Sequence, residues 1–117
     1  MKAIIEIAKH GSAIQAARQQ IAAAKLGSAI NFHLYFESAQ SLFTELTSTR
    51  LDLLYSLKNI APCSVHALAQ TIARNYTEVY NDVIRLERLS LIERTDDEMI
   101  IVPFDAIEIL MPLAKVA

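Results

Sequence analysis

Between Arg74 and Arg94 the chain reads RNYTEVYNDVIRLERLSLIER, with Tyr76, Thr77, Glu78, Tyr80 and Asn81 crowded at its front. The amide of Asn81 offers a donor and an acceptor side by side, the pair needed to meet the edge of an adenine. The hydroxyls of Tyr76, Thr77 and Tyr80 can reach either a base or a phosphate. Arg74, Arg85 and Arg88 bring cations of the kind that anchor phosphates, and Ile84 lies among them. This is recognition chemistry. Covalent chemistry has no comparable set: His10, His33 and His66 fall in different segments, without Cys or carboxylate companions at metal-ligand spacing. No glycine loop for phosphates, no nucleophile elbow and no helix with two histidines four residues apart can be found. The lone Cys63 excludes an internal disulfide and reads as an incidental thiol. The expectation is a protein that is not an enzyme and needs no metal or cofactor.

For these side chains to act together, the segment has to be a helix seated on others. Val79, Val83, Leu86 and Leu89 supply an apolar stripe at spacings of four and three, leaving Thr77, Tyr80, Asn81, Ile84, Arg85 and Arg88 on the other side. Asn75 followed by Glu78 has the form of a capping box at its start. Upstream, Ser64 caps a short helix, VHALAQTIA, whose Ala67, Leu68 and Ile72 face the helix before it. That preceding helix starts at the N-cap Thr47 and closes at Pro62. In it Leu51, Leu54 and Tyr55 mark one face and Leu53, Leu57 and Ile60 another, which predicts cover on two sides. A shorter helix with Leu42, Phe43 and Leu46 leads in. After Leu91 the pattern turns extended: LIERT, a turn at Asp96-Asp97-Glu98, then MIIVPF, read as a hairpin with an acidic tip that opposes phosphate approach. Asp105 is placed to cap a last helix, AIEILM.

The first part of the chain is different. KAIIEIA reads as a strand and INFHLYFE as a half-buried strand of period two. Between them a helix is predicted from Ser12 to Gly27, with Ile14, Ala17, Ile21 and Ala24 on one stripe. The 117 residues suffice for one compact domain or one with an accessory segment, and 53% hydrophobic content argues for a filled core or an apolar oligomer interface. The net charge of −2 announces no polyanion partner, and between Thr47 and Arg94 six basic residues nearly balance five acidic ones, so any such partner depends on local placement. No apolar run approaches the length that spans a bilayer, and the N-terminal run is too short for a signal-peptide core; a cytoplasmic protein, nucleoid-associated when bound to DNA, is expected.

Helix, helix, short turn, helix, hairpin is the order of a winged helix-turn-helix. The sequence from Phe36 onward also resembles the small MarR-like predicted transcriptional regulators of bacteria and archaea. The resemblance rests on FES at 36 to 38, on LT with Arg50-Leu51-Asp52-Leu53-Leu54, on Asn81-Asp82-Val83, on Leu91-Ile92-Glu93 and on Val102-Pro103-Phe104. The chain departs from that pattern at Ser48, where proline often starts the helix, and at Ser90, where glycine is usual. The resemblance implies a small DNA-binding, antitoxin-like repressor that controls its own operon, with a cognate toxin as a further partner.

The expected fold class is α+β: residues 1 to 46 form a strand-helix-strand dimerisation segment with a linking helix, and 47 to 117 a winged helix-turn-helix with a C-terminal helix. The expected DNA-binding residues are Arg74, Tyr76, Thr77, Tyr80, Asn81, Ile84, Arg85 and Arg88. Ile4, Ile14, Ile21, Phe32, Leu34 and Phe36 are expected to build a homodimer interface, and the dimer to meet a palindromic operator in double-stranded DNA. The alternative is a winged-helix protein-interaction module that does not bind DNA, since fold alone does not fix function.

Overall fold

A computed structural model of the chain describes residues 1–8 and 31–113. The helix expected from Ser12 to Gly27, with Ile14 and Ile21, lies outside the described residues. The architecture is α+β. Its elements are strands β1 (Lys2–Ile7) and β2 (Phe32–Phe36), helices α1 (Ala39–Glu45), α2 (Ser48–Ile60), α3 (Val65–Thr71) and α4 (Tyr76–Arg88), then strands β3 (Glu93–Arg94), β4 (Ile100–Ile101) and β5 (Ala106–Leu110). They fall into two compact units, one from Met1–Thr44 with Phe104–Ala117 and the other from Glu45–Pro103.

In the Glu45–Pro103 unit, each of the three expected N-caps forms. Thr47 Oγ1 accepts from the Arg50 N–H at 3.2 Å, Ser64 Oγ from Ala67 at 3.0 Å and Asn75 Oδ1 from Glu78 at 3.2 Å. Each bond satisfies a first-turn donor that has no partner inside the helix. The core is made by Leu53, Leu54 and Leu57 of α2, Val65, Leu68 and Ala69 of α3, and Val79, Val83 and Leu86 of α4, joined by Leu46, Leu91, Ile92, Ile100 and Val102. Of the two faces read for α2, Leu54 on one and Leu53 and Leu57 on the other are buried and Leu51 is half-buried, while Tyr55, 75% exposed, and Ile60 lie at the surface. A phenol and a helix-end isoleucine can stay wet at small cost, so their spacing alone does not demand cover.

Both turns that aim α4 end a helix in the same way. At the end of α3, Ala73 has φ +54, its N–H bonds Gln70 O at 3.2 Å, and Arg74 N–H bonds Ala69 O at 3.0 Å. At the end of α4, Ser90 has φ +63, its N–H bonds Glu87 O at 2.9 Å, and Leu91 N–H bonds Leu86 O at 3.0 Å. These are Schellman caps whose left-handed residue is usually glycine. The serine that departs from the resembled pattern is thus held in the conformation that glycine takes freely. Ala73→Gly and Ser90→Gly are each expected to raise stability by about 0.5–1 kcal/mol, because relief of the left-handed strain outweighs glycine's extra chain entropy. Urea midpoints of the two variants check this; a lowered midpoint in both refutes it.

The hairpin follows with only two residues in each strand, Glu93 opposite Ile101 and Arg94 opposite Ile100. Its tip closes through Glu98 N–H to Thr95 O at 3.0 Å and Thr95 N–H to Met99 O at 2.8 Å, with Glu98 at φ +63. On its other edge Ile100 exchanges backbone bonds with Cys63, so the α2–α3 connection extends the hairpin by one bridge. Burial pushes the half-buried Cys63 thiol above its ordinary pKa, which disfavours the thiolate.

The other unit is a parallel sheet in the order β2-β1-β5. The AIEILM segment is therefore a strand, not the helix expected after Asp105. Five residues give a helix too little length to stand alone, whereas Ile107 and Ile109 alternate with polar and small residues as a strand requires. Asp105 caps nothing helical; its N–H bonds Met1 O at 2.9 Å, and Lys2 Nζ meets Glu108 Oε1 at 3.0 Å, fixing the register. In that register Leu34, Ile5 and Ile109 form one row across the sheet and Phe32, Ala3 and Ile107 the next. Phe32 stacks on Phe104 with ring centroids 5.4 Å apart.

Ala3, Ile4 and Ile5 are all buried, as suits a central parallel strand, so Ile4 is already covered within the chain. Both edges of β1 are occupied by the chain's own strands, and among the described residues β2 and β5 are the outer strands of the sheet. Phe32, Leu34 and Phe36 are half-buried. On the opposite face Tyr35 Oη lies 3.2 Å from His33 Nδ1, and burial, then the Glu6 carboxylate, holds the phenol above its ordinary pKa.

Candidate functional site

Helix α4 is seated by one face and presents two adjoining rows on the other. Val79, Val83 and Leu86 are fully buried. Tyr76, Tyr80 and Ile84 recur every four residues along one row, and Thr77, Asn81, Arg85 and Arg88 make the next. Tyr76, Thr77, Tyr80, Asn81, Arg85 and Arg88 are exposed and Ile84 is half-buried. The structure thus brings seven of the eight expected site residues onto one accessible surface.

Arg74 is the eighth and is turned inward. Its Nη2 donates to Asp82 Oδ2 at 2.9 Å, and its Nη1 is buried without a hydrogen-bond partner among the described residues. Asp82 takes a second guanidinium on its other oxygen, Arg50 Nε to Oδ1 at 3.0 Å. Arg50 in turn donates from Nη1 to Glu45 O at 2.8 Å, and Glu45 Oε1 receives Arg85 Nη2 at 3.1 Å. The result is an alternating chain of charges, Arg85, Glu45, Arg50, Asp82, Arg74, that ties the end of α1, α2, the α3–α4 turn and α4 together. The expected phosphate contact by Arg74 does not fit this geometry, because a half-buried carboxylate eight residues on competes for its guanidinium and wins.

A second acid on α4, Glu87, is also engaged, whereas Glu78 in the first turn is exposed. Glu87 Oε1 receives Arg94 Nη2 at 2.8 Å, and the same hydrogen-bonded carboxylate raises the guanidinium pKa further. Asp82 and Glu87 therefore present little free negative charge beside the exposed rows. Arg85, with its side chain 44% exposed, holds only a surface pair, which is worth about 0–1 kcal/mol and can be exchanged for another anion. Arg88 has no ion pair among the described residues.

Three participants were not evident from the residues. Glu45 and Arg50 reach the site from other elements, and their separation along the chain carries no local signal. His66, read as an ordinary histidine, lies at the start of α3 with its ring 5.4 Å from that of Tyr76, and Tyr76 stacks on Tyr80 at 6.0 Å. Only the packing of α3 on α4 reveals this adjacency. The tip residues Asp96, Asp97 and Glu98 are exposed, as expected of a solvated acidic turn. Among the described residues no group of three or more His, Cys, Asp or Glu is placed to hold a metal ion, and no helix is long and apolar enough to cross a membrane.

A family model, HVO_A0114, matches residues 45–109, which take in the helices that carry these rows, the hairpin and most of β5. That is more than half of the 117 residues, and the chain belongs to the HVO_A0114 family. No curated protein and no solved structure matches it.

Proposed function

We propose that the chain is a sequence-specific DNA-binding transcriptional regulator of the winged helix-turn-helix type, resembling the MarR-like regulators, and that it is an autorepressing, antitoxin-like protein of a toxin-antitoxin operon. The observation that carries the reading is the pair of exposed rows on α4, a helix anchored by three buried side chains and four linked elements. Its N-terminal half offers Asn81 for an adenine edge and Thr77, Tyr76 and Tyr80 for bases or phosphate oxygens. Arg85 and Arg88, one and two turns behind, supply phosphate contacts, while Arg74 acts through Asp82 to fix the angle of the helix. A homodimer formed through the sheet unit sets two such helices about 34 Å apart, one turn of DNA, and so selects a palindromic operator. A cognate toxin is a further partner.

Fluorescence anisotropy on duplexes selected from a randomised pool tests each part. Asn81→Ala is expected to cost about 1–3 kcal/mol on the selected site and to relax its sequence preference. Arg85→Ala is expected to weaken binding to all duplexes alike and to flatten the salt dependence. Unchanged affinity and preference in both variants would sink the assignment. The dimer is tested by the same titration on a single half-site, which a monomer binds as tightly as the whole palindrome.

A second reading, a winged-helix module that docks another protein, is favoured by two observations: the acidic hairpin tip, and the commitment of Arg50, Arg74, Arg85 and Arg94 to carboxylates within the chain. Both leave α4 a weaker attractor of phosphates than its count of arginines implies. On that reading the chain enriches no duplex at all.

A further inference from the structure

Tyr76 and Tyr80 are large apolar surfaces left 45% and 41% exposed at the front of a seated helix. They stack on each other with centroids 6.0 Å apart, and the His66 ring closes on Tyr76 from α3 at 5.4 Å. Ile84, half-buried one turn further on, continues the same row. Tyr76 thus has a ring on either side, and Tyr80 is stacked against Tyr76. The faces of such rings offer a phosphate nothing, leaving only the hydroxyls for it, and carboxylates already engage Arg74, Arg85 and Arg94 nearby.

The major groove contains one apolar group by which bases differ, the C5 methyl of thymine. In an A·T pair that methyl ends the same groove edge whose other end carries the adenine N7 and N6 that an asparagine amide can take, with thymine O4 between. The helix carries the matching arrangement, with Asn81 in one row and Tyr80 adjoining it in the next. Resting on the DNA reading above, we infer that the Tyr76–Tyr80–Ile84 row is a specificity device for thymine methyl groups. The operator half-site then centres on A·T steps, adenine being read by Asn81 and the neighbouring methyls by the two tyrosines. His66 is a positioning residue that fixes the Tyr76 ring.

The test uses the full chain and duplexes enriched from a randomised pool, in which each thymine is replaced in turn by deoxyuridine, a change that removes the methyl alone. At one or two positions per half-site affinity is expected to fall about fourfold, the equivalent of one methyl group left unburied. Tyr80→Ala is expected to bind the thymine and uracil duplexes equally, and His66→Ala to narrow the difference, with melting temperatures unchanged in both because the side chains are exposed. A wild-type chain that enriches a duplex but does not distinguish thymine from uracil overturns the inference and leaves the DNA reading standing. Tighter binding to single strands of the same sequence also overturns it, since stacking on unpaired bases would then explain the rings. A chain that enriches no duplex removes the DNA reading and this inference together.

Discussion

Asp82→Ala is expected to lower the stability of the Glu45–Pro103 unit by about 2–3 kcal/mol, a fall in Tm of roughly 10–20 °C for a unit of this size. Among the described residues the carboxylate is the only anion shared by Arg50 and Arg74, at 3.0 and 2.9 Å, and all three side chains are three-quarters or more buried. Removing it strands the Arg74 guanidinium, which already has an unsatisfied nitrogen among the described residues, and leaves Arg50 with Glu45 alone. The cost is set below that of a fully buried pair because water still reaches part of each group. Asp82→Asn keeps one acceptor oxygen and is expected to recover part of the loss. Thermal melts of Asp82→Ala, Arg74→Ala and the double variant decide the matter: losses that simply add would mean that the two residues do not act as a pair.

Leu86→Ala is expected to cost 2–5 kcal/mol, roughly the range for truncating a fully buried leucine. Leu86 is 0% exposed, and its carbonyl also accepts the Leu91 N–H that turns the chain toward the hairpin. The side chain therefore seats the helix, while its backbone aims what comes next. Asn81→Ala, five residues earlier on the opposite side, is expected to change stability by no more than about 0.5 kcal/mol. The contrast separates seating from reading: an unfolding midpoint shifted by Asn81→Ala as much as by Leu86→Ala would mean that the exposed rows are structural after all.

What the residues disclosed in advance were features written locally. Three side-chain caps, the apolar stripe of α4 and the exposure of its polar front all follow from spacings within a few residues, and each forms as expected. What they concealed depends on partners distant in sequence. The alternation of Ile107 and Ile109 permits a strand, but what makes AIEILM one is pairing with β1, about a hundred residues earlier in the chain, which the six residues do not record. Arg74 looks like any surface arginine until α4 places Asp82 against it. The missing glycine at Ser90 was visible in the sequence as a departure, and its left-handed φ shows why glycine suits that place.

Strand β5 has a consequence for biosynthesis. Because β1 is flanked by one strand made soon after it and another made only after Glu45–Pro103, the sheet cannot close while the chain is still being extended through its helices. The helical unit, whose contacts join segments closer along the chain, can be complete first. During that interval the apolar run Ala3-Ile4-Ile5 keeps an unpaired edge for as long as the ribosome takes to traverse the intervening residues, at about 5–20 residues per second a delay of several seconds. Nascent chains on one message hold such edges close to one another, and the strand that finally protects β1 is the last described element to emerge.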